Sequence, residues 1–173
     1  MKENLFTPDC IRTFSGNYIN VTNPDIDLIC IEDIAHSLSM QCRFGGHLPK
    51  FYSVAQHCIH VSERMSTPID MLCGLMHDAS EAYLMDIPSP IKKQILNYNV
   101  VENGLMYTIA EKFGFKYPLP DCVHKADKEM LQIEWDCLMI NKYKSIIPVN
   151  SEQVEIDFIN RFNLINQFIK FQK

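Results

Sequence analysis

The stretch Thr67-Pro68-Ile69-Asp70-Met71-Leu72-Cys73-Gly74-Leu75-Met76-His77-Asp78-Ala79-Ser80-Glu81 decides how the chain is read. Threonine followed by proline starts a helix: the hydroxyl can accept a backbone hydrogen bond, and proline gives up only an N–H that would go unpaired anyway. Asp70 complements the positive end of the helix dipole. The apolar run Met71 to Met76 predicts a helix buried in a core, and it leads directly into His77 and Asp78. Two hydrated, ionisable side chains are costly there unless something compensates. A metal ion is the economical candidate, and the same helix is expected to carry Glu81.

Working outward, helical punctuation recurs on both sides. Ile31 to Met40 has helical spacing, and Ser53 caps a helix expected to reach Met65, with His57, His60, Val61 and Arg64 on one face. Downstream, Ser89-Pro90 opens a helix to about Leu96, and Val100 to Phe113 forms another that Gly114 ends. Tyr117-Pro118-Leu119-Pro120 must be extended, because each proline disfavours helix in its predecessor. Asp121 caps a helix that carries Asp127 to about Ile140, and Ser151 caps a last one running to the C-terminus. The one candidate β element is a hairpin within Gly16 to Ile31, with Tyr18-Ile19-Asn20-Val21 and Leu28-Ile29-Cys30-Ile31 as arms. The expectation is an all-α bundle of six or seven helices forming one domain, 1–173.

Composition narrows the function classes. A chain of 173 residues with 47% hydrophobic and 21% charged content can bury a core without staples and is not expected to be disordered. The N-terminus, Met1 to Pro8, lacks the apolar core of a signal peptide, and no stretch approaches a membrane span. A cytoplasmic location without membrane partners is therefore expected. Seven cysteines with no C-x-x-C pair argue against a disulfide framework or a thiolate zinc site, and predict reduced thiols. The net charge is −5, and lysine and arginine are scattered rather than striped, so nucleic acid is not an expected partner.

The chemistry lies in four residues. His57 and Asp127 flank the His77-Asp78 doublet in sequence, and two imidazoles with two carboxylates suit one divalent transition-metal ion, Zn, Mn, Co or Fe, with positions left open for water. Neighbours on a helix diverge by about 100°, so other helices must complete the set. Glu81 and Asp86 exceed what one ion needs. Arg43 suits a phosphate clamp, since guanidinium binds phosphate oxygens through two parallel hydrogen bonds.

The order H…HD…D resembles the HD-domain metal-dependent phosphohydrolase superfamily. Beyond the doublet, the resemblance rests on His77-Asp78-Ala79-Ser80-Glu81 followed by Asp86-Ile87-Pro88-Ser89-Pro90. Upstream it rests on Ile31-Glu32-Asp33-Ile34-Ala35, on Arg43-Phe44-Gly45-Gly46-His47 and on Tyr52-Ser53-Val54-Ala55-Gln56-His57. It covers about Ile31 to Glu134 and is nearest to small phage and bacterial deoxynucleotide hydrolases.

The resemblance implies a compact HD-type bundle in which His57, His77, Asp78 and Asp127 bind one ion, Zn, Co or Mn, with Mg as a further option. It implies that Glu81 and Asp86 act in general acid-base catalysis, and that Arg43, Lys92 and His47 approach the substrate. Lys93 and Lys125 are weaker phosphate candidates, and Phe44, Phe51, Tyr52, Tyr83 and Trp135 are candidates to stack on a base. His60 and His124 are too few to suggest a second ion, and His36 reads as a helix-face residue. The expected activity is dATP-type triphosphohydrolysis of a deoxynucleoside triphosphate. The alternatives are a deoxynucleoside 5'-monophosphatase and a nucleotide-binding module without turnover. A homo-oligomer is expected.

Overall fold

The computed structural model describes residues 9–140 and 145–171. The fold is all-α. Helices α1 (Ile31–Met40), α2 (Val54–Glu63), α3 (Pro68–Met76), α6 (Tyr98–Phe113), α7 (Asp121–Glu134) and α8 (Ser151–Phe171) carry it, with two four-residue helices, α4 (Glu81–Leu84) and α5 (Ser89–Lys92), between α3 and α6. Among the described residues no helix is long and apolar enough to cross a membrane. None of the seven cysteines is joined in a disulfide.

The start signals act as expected at α2 and α3. Ser53 Oγ accepts from Gln56 N at 3.1 Å, and Thr67 Oγ1 accepts from Asp70 N at 3.2 Å. These two helices pack against each other, α7 lies against both, and α8 crosses α1, α2 and α3. Leu72, Leu75 and Met76 from α3 meet Val54 and Val61 of α2 and Phe158 of α8 in a fully buried core. Each such side chain contributes about 1.5–3 kcal/mol relative to exposure. Gly74 sets the α2–α3 spacing: a Cβ there would lie 3.0 Å from the Ser62 Cα and 3.2 Å from its N, which no backbone can easily yield.

Several boundaries differ from the sequence reading. The hairpin exists, but Tyr18–Ile19 (β2) pairs with Ile11–Arg12 (β1) upstream. Of the expected second arm, Leu28 ends a 3₁₀ turn, Ile26–Leu28, in which the Asp25 side chain accepts from Asp27 N, Ile29 and Cys30 are extended, and Ile31 begins α1. Helix α2 stops at Glu63 rather than Met65. Helix α3 stops at Met76, so His77, Asp78 and Glu81 do not share one helix. Three-residue turns, Ala79 N to Met76 O at 3.0 Å and Glu81 N to Asp78 O at 2.9 Å, tighten the chain there.

Helix α5 ends at Lys92, short of Leu96, because Ile91, Ile95 and Leu96 stay exposed and a short helix without a buried face does not propagate. Helix α6 begins at Tyr98, two residues early, after Asn97 in the left-handed conformation. Pro120, not Asp121, precedes α7, which passes into a π-helical turn at Trp135–Met139. Asn150 rather than Ser151 caps α8, its Oδ1 accepting from Gln153 N at 2.9 Å. The remainder of the chain end expected in that helix, residues 172–173, lies outside the described residues.

Candidate metal centre

Helix α2, the turn after α3 and helix α7 meet at one point, and each delivers ligands there. His57 is fully buried, with its Nδ1 2.6 Å from Glu134 Oε1. His77 is nearly so, with its Nδ1 2.8 Å from the Gly74 carbonyl. Both partners are acceptors, so each Nδ1 donates. The Nε2 atoms face each other at 3.2 Å, a pair that a proton or a metal ion between them makes attractive.

Carboxylates complete the ring. Asp127 Oδ1 lies 3.2 Å from His57 Nε2 and 3.8 Å from His77 Nε2. Asp78 Oδ2 lies 3.2 Å from His77 Nε2 and 3.9 Å from His57 Nε2. Ligands about 2.1 Å from a tetrahedral ion stand about 3.4 Å apart, and these separations bracket that value. His57, His77 and Asp127 are therefore spaced to hold one divalent ion of the zinc type, with Asp78 beside His77 as a fourth candidate.

The electrostatics agree. Burial opposes ionisation of Asp78 and Asp127, yet the two imidazoles hold both carboxyls far below the usual range. Burial likewise disfavours a charged His77, and Asp78 more than offsets it, so the imidazole rises well above its ordinary value. The carboxylates thus favour positive charge at this spot. Cys58 also lies near His77 and Asp78, but burial pushes its thiol up to about 11. As a protonated thiol it is a poor competitor for the ion.

The open side of the centre faces a cleft of about 720 Å³ lined by Arg43, Asp78, Glu81, Asp86, Lys92 and Asp127, with Phe44, Pro88, Leu131 and Trp135 as its apolar wall. Arg43 is held by the loop 43–52, whose base is closed by Arg43 N to Tyr52 O at 2.9 Å and a bridge between Cys42 and Ser53. Its Nε donates to Glu134 Oε2 at 3.0 Å and its Nη1 lies 3.7 Å from Asp78. Burial works against its charge, but Glu134 and Asp78 keep the guanidinium protonated.

Glu81 is buried. Its Oε1 takes a 2.6 Å hydrogen bond from Lys92 Nζ, while its Oε2 has no partner. Burial first, then Asp78 and Asp86, raise the Glu81 carboxyl well above its ordinary value against the pull of Lys92. Burial also raises Asp86, against Arg43. Gln41 ties these two acids together: its Nε2 donates to Glu81 O at 3.0 Å and its Oε1 accepts from Asp86 N at 2.9 Å.

The structure thus brings together the four expected ligands, both expected acids, Arg43 and Lys92. It does not bring His47, which is exposed on the Gly45-Gly46 turn and is not among the cleft-lining residues. Lys92 lines the cleft with its ammonium already shared between Glu81 and, at 2.9 Å, Glu102. Of the aromatic candidates, Phe44 and Trp135 reach the cleft. Tyr52 is fully buried and Tyr83 nearly so; Phe51 does not line it. His60 is bound to the Tyr52 hydroxyl at 2.9 Å, away from the ion position. His36 stacks on Phe14 and pairs with Glu155, a helix-face role.

Sequence reasoning missed Glu134 and Gln41, and it read Tyr52 only as a stacking candidate. A signal for Glu134 existed: it stands seven residues, two helical turns, after Asp127, and a metal-binding histidine normally hands its second nitrogen to a carboxylate or carbonyl.

No protein-family model matches the chain. The Escherichia coli K12 protein YfdR, itself uncharacterised, is 43% identical over 174 aligned residues, 92% of this chain and 97% of that protein. An uncharacterised Rhodobacter capsulatus protein is 33% identical over 126 residues, 68% of this chain and 64% of the other. With 92% of this chain and 97% of YfdR aligned at 43% identity, the protein described here belongs to the family of YfdR.

Proposed function

We propose that the protein is a metal-dependent phosphohydrolase of the HD-domain type, cleaving a deoxynucleotide at the phosphorus bonded to its 5' oxygen, with a dATP-type deoxynucleoside triphosphate as the leading substrate. The observation that carries this reading is the placement of Glu81, with one free carboxylate oxygen, in the lining of a nucleotide-sized cleft shared with Asp78 and Asp127, whose carboxylates neighbour the His77 and His57 Nε2 atoms. A divalent ion held by those four side chains would acidify water and stabilise charge on a phosphoryl oxygen.

The protein's own groups would do the rest. Arg43, kept charged and anchored at Nε, offers its remaining N–H groups to phosphoryl oxygens. Glu81 Oε2, raised in basicity by burial and neighbouring acids, accepts a proton from the attacking water. Asp86, also raised by burial though opposed by Arg43, would serve the leaving oxygen as general acid. Phe44, Leu131 and Trp135 exclude water from the far wall, and a flat base would rest there.

One observation favours a second reading, a deoxynucleoside 5'-monophosphatase. Lys92 is occupied by Glu81 and Glu102, which leaves Arg43 and Lys128 as the other cations lining the cleft among the described residues, few for a departing triphosphate. Incubating zinc- or manganese-loaded protein with deoxynucleoside mono-, di- and triphosphates and separating the products distinguishes the two. Inorganic triphosphate plus deoxynucleoside is the expected outcome, orthophosphate from the monophosphate selects the second reading, and no turnover on any of them sinks both.

A further inference from the structure

Glu134 is fully buried, yet its carboxylate receives three hydrogen bonds from three different parts of the chain. On Oε1 it accepts from His57 Nδ1 at 2.6 Å and from the Tyr52 hydroxyl at 2.8 Å. On Oε2 it accepts from Arg43 Nε at 3.0 Å. It sits at the last residue of α7, immediately before the π-helical turn, and such turns recur at functional sites.

We infer that Glu134 is a positioning residue that couples two parts of the site, fixing the His57 ring for the ion through Oε1 and the Arg43 guanidinium for phosphate through Oε2. The assignment of phosphate to Arg43 rests on the proposed function; the hold on His57 does not. Only a carboxylate can do both. Each oxygen faces donors, so a neutral amide in the same place would turn its NH₂ toward one of them, and a donor facing a donor makes no bond. Because two donors converge on Oε1 and one on Oε2, a glutamine would place its oxygen at the Oε1 position and its NH₂ against Arg43. Tyr52, whose hydroxyl also accepts from His60, braces the carboxylate and orients neither His57 nor Arg43 directly.

The coupling makes separable demands on two variants. Zinc affinity is read by competition with a chromophoric chelator, and phosphate affinity by calorimetry with inorganic triphosphate on zinc-loaded protein. Glu134→Ala removes both contacts and is expected to weaken zinc about 10- to 100-fold, the usual effect of losing an outer partner of a ligating histidine, and to weaken triphosphate as well. Glu134→Gln, which is isosteric, keeps zinc within a few-fold and weakens triphosphate about tenfold. Tyr52→Phe, a neighbouring buried polar deletion, leaves both affinities within a few-fold.

Wild-type zinc affinity in Glu134→Ala, or unchanged triphosphate affinity in Glu134→Gln, overturns the inference, as does equal loss in Tyr52→Phe, which would mark a merely structural role. Wild-type protein that binds no zinc overturns it together with the proposed function. Wild-type protein that binds zinc and triphosphate, shows the expected variant pattern and hydrolyses no nucleotide supports the inference and defeats the hydrolase alone.

Discussion

The two walls of the cleft are built differently. The back wall, where His57, His77 and Asp127 converge, stands on α2, α3 and α7, and its histidines are locked by Glu134 and by the Gly74 carbonyl. The front wall, Glu81 to Leu96, consists of two four-residue helices and turns, with Ile91, Ile95 and Leu96 exposed. Its helix α4 packs on α1 with Tyr83 in the core, while α5 has no such buried face and Gln41 and Lys92 hold the acids by single side chains. Ion ligands must converge within a few tenths of an ångström, which only a close-packed junction can enforce. On the proposed function this wall would admit and release a nucleotide, which calls for a lower local stability than the ion site needs.

The sharpest way to break this division is at a ligand. Asp78→Ala is expected to abolish turnover and lower both metal occupancy, by elemental analysis, and thermal stability, because the ion binds the folded state. Chelation of the wild type should do the same to turnover, with recovery on adding the ion back. Full activity in chelated protein would remove the metal from the account.

Next is the front wall itself. Glu81→Ala should retain the ion and lose about 100- to 10,000-fold in turnover, the range for a general acid or base. Loss of the ion with Glu81 would mean that the two walls are not separate in role.

A third test asks whether helix spacing sets the back wall. Gly74→Ala puts a Cβ against the Ser62 backbone and should cost about 1–3 kcal/mol by denaturant unfolding, while lowering zinc affinity by moving His77. Gly104→Ala, where a Cβ meets nothing within 4 Å, should instead stabilise α6 by about 0.5–1 kcal/mol and leave zinc affinity alone. A matched effect of the two would separate spacing from ion binding.

The smallest expected effect concerns α1, on whose C-terminal end Gln41 holds the front wall. Asp33 in its first turn accepts from Ser15 N at 2.6 Å and Ser15 Oγ at 2.8 Å. Burial opposes its ionisation, but these hydrogen bonds hold its carboxyl below the usual value. A depressed folded-state value means that the stabilisation is complete above the unfolded value of about 4 and drains as pH falls through the folded one. Asp33→Asn should therefore cost about 1.5 kcal/mol at pH 7, with the gap to wild type narrowing at pH 3. A gap independent of pH would show that the charge plays no part.

Much of the back wall was legible in the sequence because its signals are local. Thr67-Pro68 and Ser53 cap helices through contacts three residues away, and the apolar run before His77 gives the buried face. The doublet itself announced the centre, since two ionisable groups after such a run need a partner. The front wall was legible in residue type and not in shape. Glu81 and Asp86 were visible as surplus acids, but the break of α3 after Met76 was not, because helical propensity continues past His77. The hairpin failed similarly: Tyr18-Ile19 was visible as a strand, while its partner depended on which extended segment could reach it.

The sequence by itself therefore determined the all-α class, the starts of α1, α2, α3 and α5 and the candidate ligands and acids of the site, all of which rest on near-neighbour hydrogen bonding and on the separation of apolar from charged side chains. Only the tertiary structure decided that His57 and His77 meet Nε2 to Nε2, that Lys92 is spent on Glu81 and Glu102, that His47 stays outside, and that Glu134 joins His57 to Arg43. Those outcomes depend on the α2–α3 spacing at Gly74 and on side chains 77 and 91 residues apart in sequence. Nothing local encodes such pairings, because their free energy exists only once the intervening helices have packed.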